Sequence, residues 1–181
     1  MIRRLDLQAL LALLQQQPRH DPHDDLVRRV VRLRARDVCE YCLRRSADPF
    51  HLDHIIPPAL WPRYVAGRLA GVAAVAGRRG PDHLDNFAWC CPLCNESKRQ
   101  RVSARVERRA QRLFDPRYDV WPDHFVFMRN YLIIAGITPA GLATERVLNL
   151  NGGGIDGPLA TRYDDIVTNR YPPDWARPWL A

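Results

Sequence analysis

The chain has 181 residues, enough for one domain with appendages that buries a real core. It carries 27 lysines and arginines against 20 aspartates and glutamates, and the formal net charge of +7 favours a polyanionic partner such as nucleic acid. No stretch is long and apolar enough to span a membrane, so we expect no membrane partner and a cytoplasmic location.

The N-terminal residues predict an amphipathic helix that ends before Pro18. Four leucines recur there at helical spacing: Leu7, Leu10, Leu11 and Leu14. We assign residues 1–23 to an N-terminal helical extension. Its apolar face either covers the domain core or docks a protein partner or a second copy of the chain, and the sequence leaves both interpretations open.

A second helix is predicted just after the extension. Asp24 or Asp25 can cap its N-terminus. Its apolar positions are Leu26, Val30 and Leu33. This helix delivers the chain to the first cysteine.

The cysteines are Cys39, Cys42, Cys90, Cys91 and Cys94. Their odd number argues against a disulfide framework. Two CxxC pairs, Cys39 with Cys42 and Cys91 with Cys94, are typical of a four-cysteine zinc site, because this spacing lets both sulfurs of a loop face one tetrahedral ion. We therefore predict one structural Zn²⁺ per chain, with Cys90 as a buried or spare thiol.

Two short strands and a helix are predicted around a long intervening segment. Residues 51–56 favour a strand that Pro57 ends, and residues 85–90 favour a turn into a second strand. A helix is expected from Asn95 onward. The segment between the strands is rich in Ala, Gly, Val and Arg, and it suits a small helix, a flap or a packing appendage.

Taken in order, these motifs resemble the zinc-stapled branch of the HNH endonucleases. The matching motifs are Cys39-x2-Cys42, Asp53-His54-Ile55-x-Pro57, Asp85-Asn86 and Cys91-x2-Cys94-Asn95-x2-Lys98. The resemblance implies an α+β fold, with a small ββα-metal core on a four-cysteine zinc site, flanked by helices. The matching motifs span roughly residues 37–99, and we assign the core to residues 24–112, with an insertion at about 59–80.

Residues 113–181 form a C-terminal extension that we expect to pack on the core. A weaker resemblance, to a bacterial HNH subgroup, lies in this extension. The motifs that carry it include Trp121-x2-His124-Phe125 and Ile137-Thr138-Pro139-x-Gly141.

Hydrolysis of a phosphodiester bond needs an activated water, a general base and positive charge near the leaving oxygen. His54 is the best candidate for the base, because imidazole titrates near neutral pH. The resemblance implies that Asp53 and Asn95 hold a catalytic metal, and this all-oxygen pair suits Mg²⁺ or Mn²⁺ rather than zinc. It also implies that Asn86 holds the loop and orients the base, and that Lys98 touches a phosphate.

Three residues of this region have more than one interpretation. Asn95 can be a helix N-cap and Asn86 a turn residue. His51 alternates with Asp53 on the predicted strand, so it either supports that carboxylate or is simply exposed.

Basic residues follow the last predicted helix. Those recurring at three- or four-residue spacing are Lys98, Arg101, Arg105, Arg108 and Arg112. They would form one phosphate-tracking stripe if the helix continued, although family members turn here. We predict DNA contacts from Arg99, Arg101 and Arg105, and a solvated basic face is the alternative.

The leading hypothesis is a metal-dependent endonuclease that hydrolyses DNA, with double-stranded DNA as the expected substrate. One alternative is a module with the same scaffold that binds nucleic acid without cutting it. Another is a nuclease subunit directed by a partner protein, bound through the N-terminal helix or the 59–80 insertion. Retention of every residue in the motif favours cutting.

Overall fold

The computed structural model describes residues 4–45, 49–75 and 77–180. Residues 1–3 of the predicted N-terminal extension, 76 of the insertion and 181 of the C-terminal extension lie outside this part. The helices are α1 (Arg4–Gln15), α2 (Asp25–Arg34), α3 (Trp61–Val65), α4 (Pro92–Lys98), α5 (Trp121–His124), α6 (Pro139–Val147) and α7 (Pro158–Val167). The strands are β1 (His51–His54), β2 (Phe87–Cys90), β3 (Ser103–Val106), β4 (Arg109–Arg112), β5 (Phe125–Met128) and β6 (Ile133–Gly136).

The strands pair two by two, as β1 with β2, β3 with β4 and β5 with β6, and every pair is antiparallel. In the first pair His51 lies opposite Cys90, and His54 lies opposite Phe87. Small antiparallel sheets among short helices make this a mixed α+β protein, which confirms the predicted class.

Helix α1 packs against α2. Its Leu14 is buried, and the other leucines of its apolar face, Leu7, Leu10 and Leu11, are partly buried against the main core. Across the described ranges, no helix combines the length and the apolar composition that a membrane crossing requires.

Helix α2 begins at its predicted cap. The Asp24 carboxylate accepts hydrogen bonds from the backbone N–H groups of Leu26 and Val27, satisfying two donors of the first turn. The buried side chains of the helix are Val27, Val30 and Val31. Of the three apolar residues predicted for this helix, Val30 is thus buried, whereas Leu26 and Leu33 lie on its exposed side.

Strands β1 and β2 and helix α4 form one local unit. All four residues of β2 are buried, which fits its uninterrupted apolar sequence. Helix α4 starts earlier than predicted, because Cys91 is its N-cap and Pro92 occupies the first helical position. The backbone N–H of Asn95 donates to the Cys91 carbonyl at 3.0 Å, so the N-cap interpretation of Asn95 is wrong.

The basic residues after Lys98 lie on a hairpin rather than a helix. Helix α4 ends at Lys98, and the next residue, Arg99, has a φ of 51° that turns the chain. A tight turn with positive φ at Glu107 and Arg108 joins β3 to β4. The hypothesis of a continuous helical stripe is therefore wrong, because antiparallel pairing and packing against α6 determine this segment.

The segment 59–80 packs on the protein through a small apolar cluster of its own. Tyr64, Leu69 and Val72 are buried with Ile56, away from the main core. Gly71 has a φ of +74°, and a Cβ there would lie 2.4 Å from the carbonyl oxygen of Ala110 on β4. Only glycine permits this close approach, which seats the segment against the basic hairpin.

Three motif residues of the C-terminal extension, His124, Thr138 and Gly141, meet at one local junction. The hydroxyl of Thr138 caps α6 by accepting from the Gly141 N–H at 3.1 Å, and it bonds His124 Nδ1 at 2.6 Å. A Cβ on Gly141 would lie 2.2 Å from the His124 carbonyl oxygen. These residues therefore fix how α6 meets the end of α5, a packing role.

Candidate functional site

Four cysteines from distant parts of the chain converge on one point. They are Cys39, Cys42, Cys91 and Cys94, and their sulfurs all lie within 4.8 Å of one another. All four side chains are buried. A buried, all-sulfur donor set of this size could hold a metal ion such as zinc.

Cys90 stays outside this cluster. Its side chain is buried, and its thiol lies 3.5 Å from the Cys91 carbonyl oxygen. Burial raises the pKa of the Cys90 thiol well above its usual range. A protonated, enclosed thiol matches the predicted role of a spare cysteine.

A tyrosine inside the first cysteine pair reaches Asp53. The Tyr41 hydroxyl donates to Asp53 Oδ2 at 2.7 Å, and the Tyr41 side chain is fully buried. Burial, followed by the negative charge of Asp53, raises the pKa of Tyr41 well above its usual range. The tyrosine therefore remains a neutral donor, joining the cysteine cluster to strand β1.

Lys98 binds the other oxygen of the same carboxylate. Its ammonium lies 3.0 Å from Asp53 Oδ1 and 2.9 Å from the His54 carbonyl oxygen. Lys98 is 1% exposed and Asp53 is 5% exposed. The lysine thus ties α4 to the end of β1 and neutralises a buried charge, rather than presenting its ammonium at the surface for the predicted phosphate contact.

His54 stands at the end of β1 with part of its ring open to solvent. Its Nε2 lies 3.0 Å from Asp82 Oδ1, and the exposed fractions of these two side chains are 22% and 15%. The ring of Phe87, opposite on β2, meets the imidazole edge to face at 5.1 Å. Two contacts of different kinds therefore fix the orientation of the imidazole.

Asn86 is fully buried and all its bonds hold the chain in place. Its Oδ1 accepts from the Ile56 N–H at 2.9 Å and from Arg78 at 2.7 Å. Its Nδ2 donates to the carbonyl oxygens of Ile56 and Pro81 at 2.8 and 2.7 Å. Asn86 therefore fastens the bend after β1 to the segment that precedes β2, which is more than a turn residue does.

Arg78 extends this network into the C-terminal extension. Its side chain is completely buried, and its guanidinium pairs with the Asp115 carboxylate as well as Asn86. The guanidinium also lies over the ring of Tyr118, 5.1 Å from the centroid. Arg78 of the insertion thus links Asn86 to the C-terminal extension.

The remaining predicted residues lie closer to solvent. Asn95 is half-buried on α4, and its side-chain amide forms no hydrogen bond within the described residues. His51 is exposed at the start of β1, and its imidazole forms no hydrogen bond with the described residues. The arginines predicted to bind DNA, Arg99, Arg101 and Arg105, are all exposed.

Sequence reasoning missed three members of the site: Tyr41, Arg78 and Asp82. Tyr41 carried a weak signal, because it lies within a predicted metal-binding loop. Arg78 and Asp82 carried none, since each meets its partner only after the segment 59–80 folds back on the core.

The chain matches no family model, no curated protein and no solved structure. Lys98 joins Asp53 and the backbone of His54, and Asn86 fastens the bend that follows these two residues. Asn95 contributes a neighbouring side chain from the same helix as Lys98.

Proposed function

We propose that the protein is a metal-dependent endonuclease that hydrolyses phosphodiester bonds in DNA, built on an HNH-type ββα-metal core. The observation that carries this proposal is the placement of His54. Its imidazole ends β1, is partly open to solvent, and is oriented by a carboxylate. A neutral imidazole held in this way is suited to accept a proton from an attacking water.

The four cysteines support a structural zinc ion in this core. Two of them precede β1 and the other two begin α4, so a bound ion would tie the entry of the unit to its exit. Zinc coordinated by four thiolates keeps no open position for substrate. We therefore assign this ion to the fold and the hydrolysis to the other residues.

Asp53 and Asn95 are the proposed protein ligands of the catalytic cation. Their donor atoms are oxygens, as Mg²⁺ and Mn²⁺ prefer. Each Asp53 oxygen accepts one hydrogen bond from Tyr41 or Lys98, and a carboxylate oxygen has a second acceptor site. A bound divalent cation would supply positive charge where the leaving oxygen becomes negative.

The other residues act by placement in this proposal. Asn86 holds the bend after β1 through its bonds to Ile56 and Pro81, so the strand end keeps its shape. Lys98 compensates the buried charge of Asp53 and holds the His54 carbonyl. This is a supporting role in place of the direct phosphate contact predicted from the sequence.

Plasmid cleavage tests the proposal. Purified parent protein with Mg²⁺ or Mn²⁺ should nick or linearise supercoiled DNA, and chelation of the cation should stop it. His54→Ala should lower the rate of cleavage by at least about 100-fold, because a general base usually contributes that much. His51→Ala is the matched control, an exposed histidine on the same strand, and it should cut like the parent. Equal cleavage by His54→Ala would refute the assignment of the base.

A second candidate is a non-cleaving module that binds nucleic acid. The observation that favours it is the state of Asp53, whose two oxygens are both engaged and whose side chain is 5% exposed. Parent protein that binds DNA tightly but shows no cleavage with either cation would select this function. A nuclease subunit that needs a partner would give the same result. Co-purification of a partner protein would distinguish such a subunit from a non-cleaving module.

The exposed arginines of the β3–β4 hairpin are the proposed DNA contacts. Three of them, Arg105, Arg108 and Arg109, lie on the strands or at the turn between them. Replacing all three by Gln should lower the slope of log binding constant against log salt by about 0.9 for each lost phosphate contact. Arg129→Gln, an exposed arginine of the C-terminal extension, should leave the slope unchanged.

Phosphate contacts carry no sequence information, so binding through these arginines predicts weak sequence preference. The ends left by digestion of random DNA should show no strong consensus. A consensus of several base pairs would instead point to base-edge contacts by the protein.

A further inference from the structure

We infer that Asp82 is a positioning residue that sets the tautomer of His54, leaving Nδ1 as the nitrogen that accepts the proton. This inference rests on the proposed function for its consequence in catalysis. Its structural basis is independent of cleavage. A carboxylate only accepts hydrogen bonds, so at 3.0 Å from Asp82 Oδ1 a neutral His54 must carry its proton on Nε2.

The opposite nitrogen is the one left for chemistry. Among the described residues, Nδ1 of His54 takes part in no hydrogen bond, and the side chain as a whole is 22% exposed. The edge-to-face contact with Phe87 keeps the ring from rotating away from Asp82. The lone pair of Nδ1 is therefore held in one direction, which is the condition for efficient proton transfer.

Asp82 is itself held from several sides. Its carbonyl oxygen accepts from the His20 N–H at 2.7 Å, and its Oδ2 lies 2.9 Å from Arg19. The preceding carbonyl, of Pro81, accepts from Asn86 at 2.7 Å. The Arg19 side chain is 80% exposed, so solvent screens that ion pair and the backbone bonds are the firmer anchors.

Asp82 is distinct from the acidic residue of the sequence motif. Asp85, which precedes Asn86, lies 2.9 Å from His83 Nδ1 and 3.4 Å from Arg79 rather than against His54. Two carboxylates only three residues apart thus face different histidines. The geometry selects Asp82, outside the motif, as the partner of the base.

The tautomer can be read directly by NMR on the full-length protein. Long-range ¹⁵N–¹H spectra at about pH 8, where an ordinary imidazole is neutral, distinguish Nε2–H from Nδ1–H. Loss of one signal set in His54→Gln assigns the resonances. We expect the Nε2–H form in the parent, and a mixture or the Nδ1–H form in Asp82→Ala. Arg19→Gln leaves the carboxylate in place and should keep the parental tautomer.

Kinetic measurements test the consequence of Asp82 for catalysis. Asp82→Ala should lower kcat by about 10- to 100-fold with little change in KM, because a misoriented base slows proton transfer while the DNA contacts remain. Asp82→Glu, which restores a carboxylate, should recover part of this loss and the Nε2–H form. If Asp82→Ala does not fold, Asp82→Asn and Asp82→Glu provide the same comparison.

Either arm can overturn the inference. An Nδ1–H tautomer in the parent contradicts it, as does a parental tautomer in folded Asp82→Ala. An unchanged kcat in folded Asp82→Ala would show that Asp82 does not contribute to catalysis. A parent that does not cut rejects the proposed function alone, because the NMR result still decides whether Asp82 sets the tautomer.

Discussion

The polar network of the C-terminal extension and the one around His54 are built in different ways. In the extension, the fully buried Arg162 donates to the carbonyl oxygens of Leu132 and Leu150 at 2.7 and 2.6 Å. Asn151 bonds both the N–H and the carbonyl of Ile134, at 3.0 and 2.8 Å. Most of these bonds satisfy backbone groups, and the network is closed.

Around His54 the main bonds join one side chain to another. Asp53 is held by Tyr41 and Lys98, and His54 by Asp82, with the last pair still in contact with solvent. Burial of polar groups alone therefore does not mark a functional site. A network that satisfies backbone groups holds a fold, whereas one that orients a partly exposed titratable group is available for chemistry.

The largest expected effect comes from the cysteine cluster, which anchors the second network. Purified protein should contain about one zinc per chain, and Cys39→Ser should lose both the metal and the fold. Structural zinc sites bind with about 10–16 kcal/mol in small peptides, comparable with the whole stability of a domain. Metal analysis and circular dichroism measure both. Cys90→Ala is the matched control and should keep its zinc, and full zinc in Cys39→Ser would contradict the cluster.

The closed network should affect stability and nothing else. Arg162→Met leaves two buried carbonyl oxygens without a donor, which should lower the free energy of unfolding by roughly 3 kcal/mol. Denaturant titration measures this loss, and Arg129→Met, at an exposed position, should change stability by under about 0.5 kcal/mol. Folded Arg162→Met should cut DNA like the parent. A specific loss of cleavage would show that the two networks are coupled.

Two buried tyrosines donate hydrogen bonds to different kinds of acceptor. Tyr41 donates to Asp53 at 2.7 Å, whereas Tyr171 donates to the Cys42 carbonyl at 3.0 Å. Each Tyr→Phe change should cost about 1–2 kcal/mol of stability. Only Tyr41→Phe should also weaken Mn²⁺ binding, measured by calorimetry, and cleavage. Equal effects of the two variants on Mn²⁺ would reject a special role for Tyr41.

The smallest effect concerns His20, a neighbour of the segment that carries Asp82. Burial, then the charges of His83 and Arg79, lowers the pKa of His20 below 6.5, while Asp85 and Asp24 oppose the shift. The unfolded chain therefore takes up a proton first as pH falls below 6.5, so stability should decrease with falling pH.

The slope from this one group is at most about 1.4 kcal/mol per pH unit. It should be smaller in His20→Gln and unchanged in His23→Gln, an exposed histidine nearby. Denaturant titrations between about pH 5 and 7 measure the slope. Identical slopes in the parent and His20→Gln would contradict the assignment.

Local spacing made part of this protein predictable. The cysteine pairs, the strand that begins at His51 and the helix that carries Lys98 all follow from residues close together in the chain, although the strand ends at His54 rather than at residue 56. The hairpin after Lys98 was not predictable, because its arginine spacing also fits a helix and its turn, Glu107-Arg108, lacks the glycine or asparagine typical of such turns. Contacts between distant segments, such as His54 with Asp82, left no trace in the sequence pattern.

The buried guanidinium of Arg78 limits how far this protein can be trimmed. A minimal domain made by deleting the segment 59–80 would remove the partner of Asp115, whose pKa is already raised by burial. The deletion would also remove the hydrogen bond that Arg78 donates to Asn86 Oδ1. Because an unpaired charge in the interior is costly, we expect a shortened chain to fold only if Asp115 is replaced by a neutral residue at the same time. The insertion is thus a structural part of the domain rather than a removable loop.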